Sequence, residues 1–254
     1  MGNLHRKMLR RANPIEELDQ YISQINGAKT LEDVLSILQK KINLLGFDRM
    51  TYWLRWHKQE SSKPVLLSTY PSNFLEHYAE SNFQNHDIVG EFSNKKSTPF
   101  TWSEISKEAE ITRVQKILFS DSSSVGLRSG GSIPIHGPHN VKATFSVAND
   151  THNKEFDQLF NLKRFELQIL ATYAHEKIIS LGIDNVVQIE KVTPREKDIL
   201  SWVARGKTYW EISKILSIQE DTVKKHMQNI LRSMNASNSN HAIARAIMRG
   251  IIIP

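Results

Sequence analysis

The chain has 254 residues, sets 33 lysines and arginines against 27 acids for a formal charge of +6, and contains no cysteine. The missing thiols exclude disulfides, thiolate zinc sites, iron–sulfur clusters and cysteine nucleophiles, and they fit a reducing, cytoplasmic setting. No stretch approaches the ~20 apolar residues of a membrane helix, and the sequence pI near 9.4 favours a polyanionic partner only weakly, because many soluble proteins share such a balance.

In chain order, residues 1–13 are basic through Arg6, Lys7, Arg10 and Arg11 and lack the apolar run of a secretory signal, so a frayed tail is expected. Asn13-Pro14-Ile15-Glu16 opens a helix, and Thr30-Leu31-Glu32-Asp33 opens a second that runs to Leu45 before Gly46. Residues 49–56 and 65–69 are rich in β-branched and aromatic side chains and read as strands, residues 73–82 as a helix. A later strand pair is expected over 126–135 and 142–148, joined through His136-Gly137-Pro138-His139-Asn140. A long helix from 154 to about 180 follows, with Leu162, Phe165, Ile169 and Tyr173 at three- and four-residue spacing, a stripe that either packs on a core or offers a dimer surface. Strands bracketed by helices predict an α/β sandwich, an antiparallel sheet flanked by helices, over residues 14–181, and the length suits a second, smaller domain. The linker is expected over 182–191.

Residues 192–254 carry the densest local signals. Thr193-Pro194-Arg195-Glu196 is a capping box with proline in the first helical position. Ile199, Leu200 and Val203 give that helix one apolar side, and Gly206 supplies the positive φ that closes it. Thr208-Tyr209-Trp210-Glu211 repeats the threonine-to-glutamate spacing before a short helix bearing Ile212, Ile215 and Leu216. After a tight turn at Ile218 and Gln219, a third helix over about 220–234 places Val223, Met227, Ile230, Leu231 and Met234 on one stripe. The opposite face holds Thr222, Lys225, Gln228, Asn229 and Arg232, with Lys224 and His226 beside it, and no acid outside the first turn. Such a donor-rich face suits a major groove. Asn235 is expected as a left-handed stop, and a fourth helix over about 240–249 carries Ala242, Ile243, Ala246 and Ile247 before Gly250. A charged surface helix alone means little. Two short helices joined by a tight turn, the second cationic, make a helix-turn-helix signature.

These residues resemble the C-terminal DNA-binding domain of LuxR-type transcription regulators over 193–252. The likeness rests on Glu196, Leu200, Gly206, Glu211-Ile212, Thr222-Val223-Lys224, His226, Asn229-Ile230 and Gly250-Ile251-Ile252. Gln219 departs from the family's capping serine, which leaves either a weaker cap or Asp221 in that role. The N-terminal part is similar to the same family's autoinducer-binding domain through Tyr70-Pro71, Tyr78, Asp87, Trp102, Gly130 and Ser146 in order. The resemblance implies an N-acyl homoserine lactone, or a related signal, as ligand and no cofactor. Asp87 would accept from the ligand's amide N–H, and Tyr78, Ser146 and Tyr70 would offer hydroxyls to its carbonyls. Trp102 would wall the ring, and Gly130 would allow a close backbone approach. Tyr52, Trp53, Trp56 and Phe83 either line the acyl side or pack in the core. For a lone aspartate such as Asp87 the plain alternative is a helix cap. At Phe74 most members place a tryptophan whose indole bonds the lactone carbonyl, so this pocket keeps the ring and loses the donor.

The resemblance further implies a regulator, not an enzyme, that binds double-stranded DNA as a homodimer on an inverted repeat, with RNA polymerase as a further candidate partner and no membrane partner. Arg232, Lys225, Gln228 and Asn229 would face base edges, and Thr222, Lys224 and His226 the phosphates. One alternative is a family member that senses a non-lactone molecule, and a phosphorylated response regulator is opposed by the absence of a receiver domain's acids. A metabolite-binding module or enzyme with a helical tail is opposed by the ten scattered histidines, which form no HExxH, and by Gly130-Gly131, which lacks a P-loop's lysine.

Overall fold

The computed structural model describes residues 14–55, 65–137, 141–182, 192–248 and 250–253. The expected basic tail, Trp56, residues 183–191 of the expected linker, residues 138–140 of the expected connection, Arg249 and Pro254 lie outside the described residues. The chain divides into two compact units, each taken by itself.

The first unit opens with α1 (Pro14–Gly27) and α2 (Leu31–Leu44). A reciprocal cap starts α2: Asp33 N–H donates to Thr30 Oγ1 at 3.1 Å, and Thr30 N–H donates to Asp33 Oδ2 at 2.9 Å. Then come β1 (Arg49–Arg55), β2 (Val65–Ser68), α3 (Ser72–Glu80), a 3₁₀ turn (Phe83–Asn85), α4 (Ile88–Lys95), β3 (Phe100–Thr101), α5 (Trp102–Glu108) and α6 (Arg113–Ser124). The unit closes with β4 (Ser129–His136), β5 (Lys142–Asn149) and α7 (Asn153–Gly182). Its sheet has five strands in the order β2-β1-β5-β4-β3, every pairing antiparallel, with helices against it, as the α/β sandwich expectation requires.

Registry assigns the two faces of the sheet. Tyr52, Phe145 and Ile133 lie side by side across β1, β5 and β4, and with Met50, Leu54 and Val147 they are buried in a core shared with Phe156, Phe160, Leu167, Leu170 and Ala174 of α7. The alternate residues, Thr51, Ser146 and Ser132, form the matching row on the other face. Neighbouring glycines in β4 serve opposite faces: a Cβ on Gly131 would overlap the Phe160 ring, and one on Gly130 would come within 2.5 Å of Trp102. Lys41, buried in α2, is held by Glu17 of α1 and Glu166 of α7, each at 2.8 Å.

Several expectations change here. The stripe on α7 does not pack on the core: Leu162, Phe165, Ile169 and Tyr173 are 75%, 64%, 42% and 42% exposed, because the helix turns its other side to the sheet. The first strand of the late pair starts at Ser129, since Gly126, at φ 82°, ends α6 instead. Four elements, α4, α5, α6 and β3, were not anticipated. They are short, and tertiary packing supplies what periodicity lacks; α6 left a local mark in the Thr112–Gln115 capping box and α4 in its Asp87 cap.

The second unit is α8 (Pro194–Ala204), α9 (Tyr209–Ile215), α10 (Glu220–Ser233) and α11 (Ser239–Met248). Thr193 with Glu196 and Thr208 with Glu211 both form full capping boxes, and Gly206, Asn235 and Gly250 take positive φ. Ile199, Leu200, Ile212, Val223, Met227, Ile230, Met234, Ala242 and Ala246 form one core. Ile215 leaves its expected side and is exposed, as is Ile247. Among the described residues no helix is long and apolar enough to cross a membrane.

Candidate ligand pocket and nucleic-acid interface

The polar face of the sheet floors a cavity of about 350 Å³ walled by α3, α6 and the starts of α4 and α5. Six of the seven residues singled out in the sequence line it: Tyr70, Phe74, Tyr78, Asp87, Trp102 and Ser146. Gly130 does not. It lies under the Trp102 ring, so the close approach it permits is to a side chain. Trp53 lines the cavity; Phe83 is buried behind it with Phe74. Tyr52 points to the opposite face, because strand neighbours alternate, and there its hydroxyl lies 2.7 Å from His175 Nδ1.

Asp87 performs both tasks weighed for it. Its Oδ1 accepts the Val89 N–H at 2.9 Å as the N-cap of α4, and its Oδ2 accepts the Tyr78 hydroxyl at 3.0 Å. A cap is satisfied by one oxygen, so the carboxylate can hold a helix in place and still line the cavity. The Tyr78 proton is thereby directed to Asp87. The Tyr70 hydroxyl, in contrast, is buried with no hydrogen-bond partner among the described residues, and burial followed by the Asp87 charge pushes its pKa up. A buried hydroxyl without a partner is costly, and a ligand acceptor would relieve that cost.

The aromatic wall is continuous: Tyr70 meets Phe74 at 6.4 Å, Phe74 meets Tyr78 at 6.2 Å, and Tyr78 meets Trp53 at 5.6 Å between centroids. The Trp102 indole N–H turns to the floor, where it donates to Ser132 Oγ at 3.1 Å, and Ser132 Oγ lies 2.8 Å from Ser146 Oγ. Sequence reasoning missed Ser132. Its signal was weak, two residues past Gly130 on the strand and therefore on the same face. Thr51, Thr144, Ser122 and Gln84 complete the polar lining. Among the described residues no cluster of metal-ligating side chains occurs.

On the second unit, Thr222, Lys224, Lys225, Gln228 and Arg232 are exposed along α10, and His226 and Asn229 are half-buried, opposite the buried Val223, Met227 and Ile230. Gln219 makes no side-chain cap, and the Asp221 carboxylate instead meets Lys224. Lys224 Nζ lies 3.0 Å from Glu220 and 3.3 Å from Asp221, and these bonds hold its pKa above the ordinary lysine value. Lys225 and Arg232 thus present the outward charge.

Two family models match the chain, an autoinducer binding domain over residues 30–178 and the luxR family of bacterial regulatory proteins over residues 190–246. The chain is similar to the transcriptional activator protein EchR of Dickeya chrysanthemi, 30% identical over 87% of this chain and 91% of that protein. In fold it is similar to Escherichia coli SdiA, with a TM-score of 0.77, 24% identity, and coverage of 95% of this chain and 100% of that one. A structure of SdiA in complex with octanoyl-rac-glycerol aligns with a TM-score of 0.74, 23% identity, and coverage of 96% and 98%.

Proposed function

Since this chain belongs to the LuxR family of autoinducer-responsive transcriptional regulators, we propose that its cavity binds an N-acyl homoserine lactone and that the protein reads inverted-repeat promoter DNA as a dimer. It is a regulator with small-molecule and DNA partners, not an enzyme. One observation carries the ligand reading: within one apolar cavity a carboxylate acceptor, Asp87, stands near a buried hydroxyl donor, Tyr70, that has no partner among the described residues. An amide N–H and its carbonyl ask for that pair. Titration of the purified protein with a panel of acyl lactones should raise its melting temperature. No rise with any member overturns the reading.

The exposed apolar stripe Leu162, Phe165, Ile169, Tyr173 supports dimerisation through α7, since a row of that length is seldom left in water. A two-fold dimer places its two reading helices about one DNA turn apart, so half-sites form an inverted repeat. We place the ligand domain at 14–181, the linker at 182–191 and the DNA-binding domain at 192–254. Gel shifts with inverted and direct repeats of one half-site test the geometry, and equal affinity for both would refute it.

A second reading concerns the headgroup. Phe74 offers no donor, and the Trp102 N–H is occupied by Ser132, so the head wall favours a signal without a lactone carbonyl. SdiA in complex with octanoyl-rac-glycerol is a precedent for an acyl ligand with another head. A missing hydrogen bond weakens lactone binding by about tenfold. Phe74→Trp should recover that factor for N-octanoyl homoserine lactone but not for N-octanoyl cyclopentylamide. An equal gain for both would show that only ring size matters.

A further inference from the structure

We infer that Ser132, which does not line the cavity, sets the polarity of the Ser146 hydroxyl and so makes the pocket select a carbonyl over a hydroxyl on the ligand's acyl arm. The inference rests on the acyl-lactone reading above and names a positioning residue for it.

An indole N–H can only donate, so the 3.1 Å bond from Trp102 Nε1 makes Ser132 Oγ an acceptor there. The other neighbour of Ser132 Oγ is Ser146 Oγ at 2.8 Å, and Ser132 is 0% exposed. If Ser146 were the donor in that pair, Ser132 would accept twice and its own proton would be buried without a partner, which folded proteins avoid. The Ser132 proton therefore goes to Ser146. Ser146 Oγ becomes the acceptor in the pair, and its own proton turns to the cavity that it lines.

Geometry fixes the start of this chain of bonds. Trp102 is pressed on Gly130, where a Cβ would come within 2.5 Å of the ring. Ser132 and Ser146 are register partners on β4 and β5, and Thr51 is the partner of Ser146 on β1. The hydroxyl row is thus held by the sheet and not by mobile side chains. Asp87 and Tyr70 already match the amide N–H and its carbonyl, which leaves the Ser146 donor for a second acceptor along the acyl arm. A ketone at acyl position 3 accepts and cannot donate. A hydroxyl there accepts the same bond but brings a proton of its own, which Ser146, already the donor to that oxygen, does not receive.

The experiment measures the affinities of the full-length protein for N-(3-oxooctanoyl)- and N-(3-hydroxyoctanoyl)-homoserine lactone by calorimetry. Wild type is expected to prefer the 3-oxo probe by about tenfold, one hydrogen bond's worth. Ser132→Ala frees Ser146 to turn either way, and the ratio should collapse toward unity, while Ser132→Thr, which keeps a hydroxyl, should hold it. In a Ser146→Ala background, Ser132→Ala should change the ratio no further. A purely structural role would weaken both probes alike and leave the ratio intact, and that result overturns the inference. So does a wild-type preference for the 3-hydroxy probe. Failure of both probes to bind wild type would instead overturn the lactone reading and take the inference with it.

Discussion

The indole of Trp102 rests on the backbone of Gly130 so closely that a single methyl group there would sit 2.5 Å from the ring. The ring forms one wall of the cavity and sends its N–H to Ser132. Gly130→Ala should therefore expel the ring, lower the urea midpoint by the equivalent of about 1–3 kcal/mol, and abolish the thermal shift with acyl lactones. Gly131→Ala meets Phe160 on the other face and should destabilise to a similar degree while the folded fraction still binds. A Gly130→Ala protein with unaltered midpoint and binding would show that the contact constrains nothing.

Asp87 has a capping duty and a pocket duty on separate oxygens, so substitutions can part them. Asn is as good a helix cap as Asp. Asp87→Asn should keep the ligand-free melting temperature and weaken acyl-lactone binding by about tenfold, as a charged acceptor becomes a neutral one. Asp87→Ala should add about 1 kcal/mol of lost stability from the cap. Calorimetry and thermal melts read the two effects, and undiminished affinity in Asp87→Asn would remove Asp87 from the ligand site.

Under the sheet, burial lowers the pKa of His175, against a smaller raising effect of Glu176. Burial also raises that of Tyr52, so the Tyr52 hydroxyl keeps its proton beside the neutral ring, 2.7 Å from Nδ1. The sign follows from linkage: with a folded pKa below the ordinary value of about 6.5, the unfolded chain takes up the proton first. Stability conferred by neutral His175 is present above about pH 6.5 and is lost as pH falls through the folded value. The urea midpoint of wild type should drop between pH 7.5 and 5.5 by more than that of His175→Gln. Parallel curves would contradict this.

On α10, Lys225 is exposed, whereas Lys224 is drawn to Glu220 and Asp221. Each phosphate contact contributes about 0.9 to the slope of log affinity against log salt. Because Lys224, expected from the sequence at the phosphates, is engaged by the acids, the phosphate contact is assigned instead to Lys225, and Lys225→Ala should lower that slope by about one for an inverted-repeat duplex, Lys224→Ala by less. A larger loss from Lys224→Ala would mean that DNA displaces the acids.

The second unit was the more legible of the two. Its capping boxes at Thr193 and Thr208, the positive φ at Gly206 and Asn235, and the buried stripe of α10 involve partners within one or two helical turns, so spacing suffices to find them. The pocket residues stood in the right order in the chain, but order does not say which way a side chain points. Tyr52 and Trp53 are neighbours, and the sheet sends one to the core beside His175 and the other to the cavity.

By itself the sequence determined the capped helix starts and the left-handed stops of the second unit, the cationic face of α10, the family, and the loss of a donor at Phe74. Only the tertiary structure decided that the α7 stripe faces outward, that Asp87 caps and lines at once, and that Ser132 joins Trp102 to Ser146 across 30 and 14 residues of separation. The division is physical. A cap or an amphipathic face is settled by bonds within a few residues, whereas the direction of a buried hydroxyl depends on which strands lie side by side and on what is left for its proton to reach.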